Sequence, residues 1–215
     1  PEVGRDVTKL FNVLSGYAIE TNYNRLLVAP EGLRQGLLTR IEREAEHARA
    51  GRPSGIKLKA NSMVDEQIID ALYRASNAGV PIEIWIRGIC SIKAGVPGLS
   101  ENIRVRSVLG RYLEHSRIYA FENAGDREVY IGSADLMHRN LDRRIEVLAR
   151  IVDREHLARI DRFFAYGFSD DVSSWHMLPD GTWRRRTVTE EGEPLHDLQD
   201  LVMRDRTQAR SREAR

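Results

Sequence analysis

Residues 113–135, LEHSRIYAFENAGDREVYIGSAD, combine a histidine, a cation, an acid and a small-residue turn at spacings that suit phosphoryl chemistry. His115 precedes Arg117 by two residues, so alternation along a strand places both side chains on one face. Glu122 closes that first strand, predicted over residues 116–122, and Gly132-Ser133-Ala134-Asp135 closes a second over residues 128–132. Between them Asn123-Ala124-Gly125-Asp126 supplies hairpin-turn residues. A histidine there can act as nucleophile or proton carrier, and an arginine offers a planar fork to phosphate oxygens. A Gly-Ser turn offers backbone donors to an oxyanion.

The spacing His115-x-Arg117-(x4)-Glu122 followed by Gly132-Ser133 resembles the half-site motif of phospholipase D, with Arg in place of Lys and Glu in place of Asp. Three blocks in order narrow the resemblance: IKLKANSMVDEQIIDALYRASNAGVPIEIWIRGICSI, GRYLEHSRIYAFEN and GSADLMHRNLDRRIEV. Together they are similar to the last domain of bacterial polyphosphate kinase, over residues 10–186. The resemblance implies an α/β, phospholipase D-like fold, a mixed sheet flanked by helices. It implies reversible transfer of the terminal phosphoryl group of ATP to polyphosphate, releasing ADP, with magnesium. In that family two such domains share the chemistry, and the histidine that becomes phosphorylated lies in the earlier one. This chain looks like the second alone, so the resemblance implies that it is inactive in isolation. It also implies cytoplasmic location, membrane association of the full-length enzyme, homo-oligomerisation and contact with the remaining domains, and no DNA partner.

The elements that must position these residues follow from periodicity. At 215 residues the chain is one domain with room for an appendage. Its 33 Lys+Arg against 32 Asp+Glu exclude a global basic field, so an anion site must come from local clustering. One cysteine, Cys90, excludes a disulfide framework or a cysteine-based zinc site, and no apolar run reaches membrane-spanning length. The start at Pro1 suits an excised fragment.

Residues 1–21 read as a lead-in with a short helix, residues 22–188 as the catalytic-type domain and residues 189–215 as a charged helix and tail, frayed from 204 onward. A buried strand at 25–29 precedes a long amphipathic helix at 31–50. Strand 56–61, helix 64–77 and strand 80–87, with short joins, predict a parallel βαβ unit. Ile56, Leu58 and Ala60 face inward on the first of these strands, leaving Lys57, Lys59 and Asn61 on the other side. A Gly-, Ser- and Pro-containing loop spans 88–102, strands follow at 103–109 and 145–152, and Asp153 caps a helix to 166. Residues 173–187 read as an extended arm or hairpin.

Among the candidates, His115 takes the catalytic place. Arg87 ends an apolar strand at a Gly-rich loop, and the resemblance puts the family's nucleotide-binding arginine on its Arg-Gly-x-Cys-Ser block. Lys59 and Asn61 end the neighbouring strand and should lie near Arg87. With Arg117, Ser133, Arg139 and Arg144 they form the expected ATP- and phosphate-binding set. Arg111, Arg139, Arg143 and Arg144 can track a polyanion as a group, or pair singly with Glu114, Asp142 or Glu146. No Asp/Glu cluster makes a metal cage, which puts magnesium ligands elsewhere in the enzyme. Cys90 reads as a packed thiol, and His47, His138, His156, His176 and His196 lack a partner pattern. Two other readings use the same residues. One is a phospholipase D-type phosphodiesterase or nuclease in which two copies of His115 meet across a dimer, recognisable by diester hydrolysis. The other is a non-catalytic polyanion-binding module, recognisable by binding that survives loss of His115.

Overall fold

Alternation and helical periodicity resolve into fourteen regular elements in a computed structural model that describes residues 2–17 and 22–213. In chain order these are α1 (Glu2–Leu14), β1 (Leu26–Ala29), α2 (Leu33–Arg49), β2 (Ile56–Ala60), α3 (Glu66–Asn77), β3 (Ile82–Ile86) and β4 (Ile103–Ser107). Then come β5 (Arg117–Phe121), β6 (Glu128–Gly132), β7 (Glu146–Ile151), α4 (Arg154–Gly167), β8 (Ser174–Met177), β9 (Trp183–Arg186) and α5 (Leu198–Glu213). The strands form one mixed sheet in the order β1-β7-β6-β5-β2-β3-β4-β8-β9. Only β2, β3 and β4 run parallel. They are joined by α3 and by the loop at 87–102.

The class is α/β, a mixed sheet flanked by helices, as the sequence predicts. On one face, Leu33, Leu37 and Ile41 of α2 and Ile68, Leu72 and Ala75 of α3 close over Ile56, Leu58, Ile84, Tyr119 and Phe121. On the other face, α4 lays Phe164 against Ile118, Ala120 and Val129, and Leu198 of α5 joins Trp85, Val108 and Val172. Period-two alternation therefore buries both faces of the central strands. Asp65 and Asp153 cap α3 and α4 through their side-chain oxygens. Among the described residues no helix is long and apolar enough to cross a membrane.

Two expectations change and one is specified. The face of β2 that carries Lys59 is not solvated: α4 covers it, and Lys59 is 1% exposed. Residues 173–187 form the hairpin that the sequence allows, β8 with β9, and pairing of β8 with β4 adds it to the sheet. The C-terminal stretch is helical through Glu213 and docked by Leu198, so it does not fray at 204; the expected ends of the lead-in and tail, residues 1, 18–21 and 214–215, lie outside the described residues.

Glu128 joins α2 to β6. Its carboxylate accepts hydrogen bonds from Arg43 Nη1 (2.8 Å), Arg40 Nε (2.8 Å) and the Tyr130 hydroxyl (2.9 Å). Burial alone would raise its pKa, but the hydrogen bond from Arg43, the charge of Arg40 and the Tyr130 hydroxyl bring it down to about 2. A carboxylate depressed on folding stabilises above its unfolded pKa and loses that contribution as pH falls toward the folded value. Glu128→Gln should therefore cost roughly 3 kcal/mol at pH 7, a difference that shrinks progressively from about pH 5 down to about pH 2. Urea unfolding across that range measures it; a pH-independent difference would exclude the ionic origin.

Candidate active site

Where the parallel strands end, four of the expected residues meet. Pairing sets Ala60 of β2 beside Ile86 of β3, so Asn61 and Arg87 emerge side by side. Antiparallel pairing of β2 with β5 brings Arg117 to the same end, and Arg117 pairs with Gly132 of β6. The side chains then form a hydrogen-bonded chain. Arg87 Nε donates to Asn61 Oδ1 (2.9 Å). The Asn61 backbone N–H (2.7 Å) and Nδ2 (3.1 Å) donate to Asp135 Oδ1. Arg117 grips the same carboxylate with two arms, Nε to Oδ1 (3.2 Å) and Nη2 to Oδ2 (3.0 Å), and gives Nη1 to the His115 carbonyl (2.8 Å).

Asp135 is the hub of this chain and is 4% exposed. Burial would raise its pKa, but hydrogen bonds from Arg117 and from the Asn61 N–H outweigh it and hold the carboxyl below the usual range. Arg117 has thus committed its fork to Asp135 rather than to an external phosphate. Arg87 has used only Nε, and both its Nη groups remain without partners among the described residues. A half-exposed guanidinium held at one nitrogen is suited to a bidentate phosphate contact.

His115 stands in an irregular segment ahead of β5, exposed, with its imidazole unbonded among the described residues. Lys59 lies beneath that segment. Its ammonium pairs with Glu114 Oε2 (3.2 Å), donates to the Ser116 carbonyl (3.3 Å) and sits over the rings of Trp85 (4.8 Å) and Phe163 (5.7 Å). Burial lowers its pKa; Glu114 opposes this, and Arg117 and Arg87 add to it. Lys59 is thus grouped with Arg87 and Arg117, but under the loop and not at its surface.

The Gly-Ser turn does not work as its spacing suggests. A Cβ at Gly132 would meet Val147 O at 1.9 Å, so glycine is needed for β6 and β7 to approach. The Ser133 N–H donates to that same carbonyl (3.1 Å), and its hydroxyl accepts from the Val147 N–H (3.3 Å). The expected oxyanion donor is therefore used inside the sheet; the Ser133 side chain stays exposed. Nor does Glu122 converge with His115. It follows the far end of β5, roughly 15 Å along the strand, and the acid that joins the site is Asp135.

Arg139 opens and Arg144 follows a π-helical turn, Arg139–Arg143, that leads into β7 at the same end of the sheet. The turn is fixed by Asn140 Nδ2 donating to Glu146 (2.6 Å) and by Arg34 bridging Asp142 (2.8 Å) and Asp65 (2.8 Å). Those acids are consequently taken, and Arg139, Arg143 and Arg144 point outward with no ion pair among the described residues. Arg111 leaves this group, pairing with Asp200 (3.2 Å) on α5. Cys90 is a packed thiol whose pKa burial pushes up to about 11, away from thiolate chemistry. His138 does find partners, Glu66 (2.8 Å) and Asp142 (3.4 Å), across a gap in sequence that pattern reading does not bridge.

The acids near His115 are likewise occupied: Asp135 by Arg117 and Asn61, Glu114 by Lys59. Among the described residues no group of three or more His, Cys, Asp or Glu is placed to hold a metal ion. Magnesium therefore does not fit the residues of this site.

The model of the family described as polyphosphate kinase C-terminal domain 2 matches residues 26–199. The polyphosphate kinase of Streptomyces coelicolor is 56% identical over 210 residues, which cover 98% of this chain and 28% of the relative. The crystal structure of polyphosphate kinase from Porphyromonas gingivalis superposes with a TM-score of 0.90 at 34% identity, over 97% of this chain and 32% of that one. NucT from Helicobacter pylori shares the fold alone, at 16% identity and a TM-score of 0.50, over 66% of this chain and 92% of that one. The chain spans just over a quarter of the length of the curated relative. With a family model matched from β1 to the start of α5, and a kinase structure superposed on nearly all of it, the chain belongs to the polyphosphate kinase C-terminal domain family.

Proposed function

We propose that this chain forms one half of the catalytic centre of a cytoplasmic polyphosphate kinase that transfers the γ-phosphoryl group of ATP reversibly to the end of a polyphosphate chain. The observation that carries this reading is that exposed His115 and Arg87, whose Nη groups are unspent, stand at the two ends of one hydrogen-bonded chain through Asn61, Asp135 and Arg117. In the first step the nucleophilic histidine of the preceding domain attacks the γ-phosphorus, and the bond to the β,γ-bridging oxygen breaks as ADP leaves. In the second, a terminal polyphosphate oxygen takes the phosphoryl group from that histidine. Arg87 holds the non-bridging oxygens where charge develops, and His115 holds or protonates the departing oxygen. Positioning and charge stabilisation carry most of such a transfer. The outward Arg139, Arg143 and Arg144 give the polymer successive contacts, and the exposed Ser133 side chain is open to it as well. Lacking the nucleophile, the isolated chain binds but does not turn over.

Isothermal calorimetry of this chain with ATP and with polyphosphate tests the reading. Weak binding is expected at low ionic strength, falling steeply with added salt. Arg87→Ala should weaken ATP binding about tenfold or more. No binding at low salt would count against the reading, and cleavage of DNA or phospholipid by the chain would replace it with phosphodiesterase chemistry.

A further inference from the structure

The segment that carries His115 belongs to no strand, and it is held by side chains from two distant parts of the chain. Gln199, in the first turn of α5, is 7% exposed. Its Oε1 accepts the Tyr112 N–H (2.8 Å), and its Nε2 donates to the Tyr112 carbonyl (2.8 Å) and to Glu114 Oε1 (2.9 Å). The amide orientation is fixed, since only the oxygen can face an N–H and only the nitrogen a carbonyl and a carboxylate. The other Glu114 oxygen takes Lys59, which also holds the Ser116 carbonyl. Arg117 holds the His115 carbonyl. Backbone groups at 112, 115 and 116 are thus each claimed by a side chain, leaving His115 the residue that projects free.

The approach of Gln199 is built in from both sides. Gly110 provides the space: a Cβ there would lie 2.4 Å from Gln199 Oε1. The start of α5 is fixed by Asp197, which accepts from the N–H groups of Gln199 (2.8 Å) and Asp200 (3.1 Å), by Leu198 in the core under Trp85, and by Tyr166 bonding Asp205 (2.6 Å).

We infer that Gln199, acting with Glu114 and Lys59, is a positioning residue for His115, so that the C-terminal helix sets the catalytic geometry of a residue over eighty positions earlier. This rests on the kinase reading above. The physical reason is that an exposed loop without ladder hydrogen bonds samples many conformations, and an error of about 1 Å in a reacting group can cost about 10²-fold in rate. Lys59, expected from the sequence to touch phosphate, acts from below through Glu114 and Ser116 in this arrangement.

The test uses the full-length polyphosphate kinase that carries this domain, assayed for polyphosphate synthesis from ATP. Gln199→Leu removes all three bonds. Gln199→Glu keeps size and the bond from the Tyr112 N–H, suits the first turn of a helix, but sets a second carboxylate against Glu114 and leaves the Tyr112 carbonyl unpaired. Both should lower kcat about 10- to 100-fold with KM for ATP changed less than about threefold. Adding Glu114→Gln to Gln199→Glu restores an amide–carboxylate pair with its polarity reversed and should recover several-fold of the lost kcat. Thermal melts of each variant accompany the kinetics. Unchanged kcat in an enzyme whose unmutated form is active overturns the inference, as does a rise in KM alone or a double variant without recovery over Gln199→Glu. An unmutated enzyme that makes no polyphosphate from ATP overturns the kinase reading instead.

Discussion

In the complete enzyme His115→Ala lowers turnover by about 10²–10⁴-fold, the usual loss when an acid–base or charge-stabilising group is removed. The exposed imidazole makes no internal bond, so little stability is lost with it, and the melt of the variant should match the parent. A two-histidine phosphoryl transfer needs one group to attack phosphorus and another to serve the departing oxygen, and this chain holds one His-x-Arg element followed by an acid and a Gly-Ser turn. Incubated alone with ATP and magnesium, the chain should gain no acid-labile phosphate at His115. Stoichiometric phosphohistidine there would make this the nucleophilic half.

Asp135→Ala acts through the fold. It removes the acceptor of four hydrogen-bond donors: the Asn61 N–H and Nδ2, and Arg117 Nε and Nη2. The Arg117 side chain, 13% exposed, is left without its counter-charge. Breaking a buried pair from one side costs about 3–5 kcal/mol, chiefly because the remaining charge is stranded. Urea unfolding of this chain at pH 7 should show that loss, and ATP binding should weaken with it because Arg87 is held through Asn61. Asp135 is depressed on folding, so its stabilisation is present above the unfolded carboxylate pKa. The gap between parent and variant should close as pH falls toward the folded value. A loss below about 1 kcal/mol would mean that Arg117 finds another partner and that Asp135 is not the hub.

The order of elements was legible in the sequence because local rules fix it. Alternation marked β2 and β4, an apolar run marked β3, helical periodicity marked α2 and α3, and Asp153 marked the start of α4. The parallel βαβ register followed from short joins and placed Asn61 beside Arg87. His115 and Arg117 were legible as a motif, and the family could be read from three blocks in order. Which donor meets which acceptor was decided by the tertiary structure. Arg117 turned inward to Asp135, Ser133 gave its N–H to Val147, and Glu122 fell at the wrong end of β5. Lys59 was expected to reach phosphate, and its burial was not legible, because alternation reports one buried face, whereas helices on both sides of this sheet bury the second. Gln199 gave no signal at all, standing in a charged C-terminal stretch. A side-chain amide acquires meaning only when folding carries it to a backbone more than eighty residues away, and no period or local propensity encodes a contact of that separation.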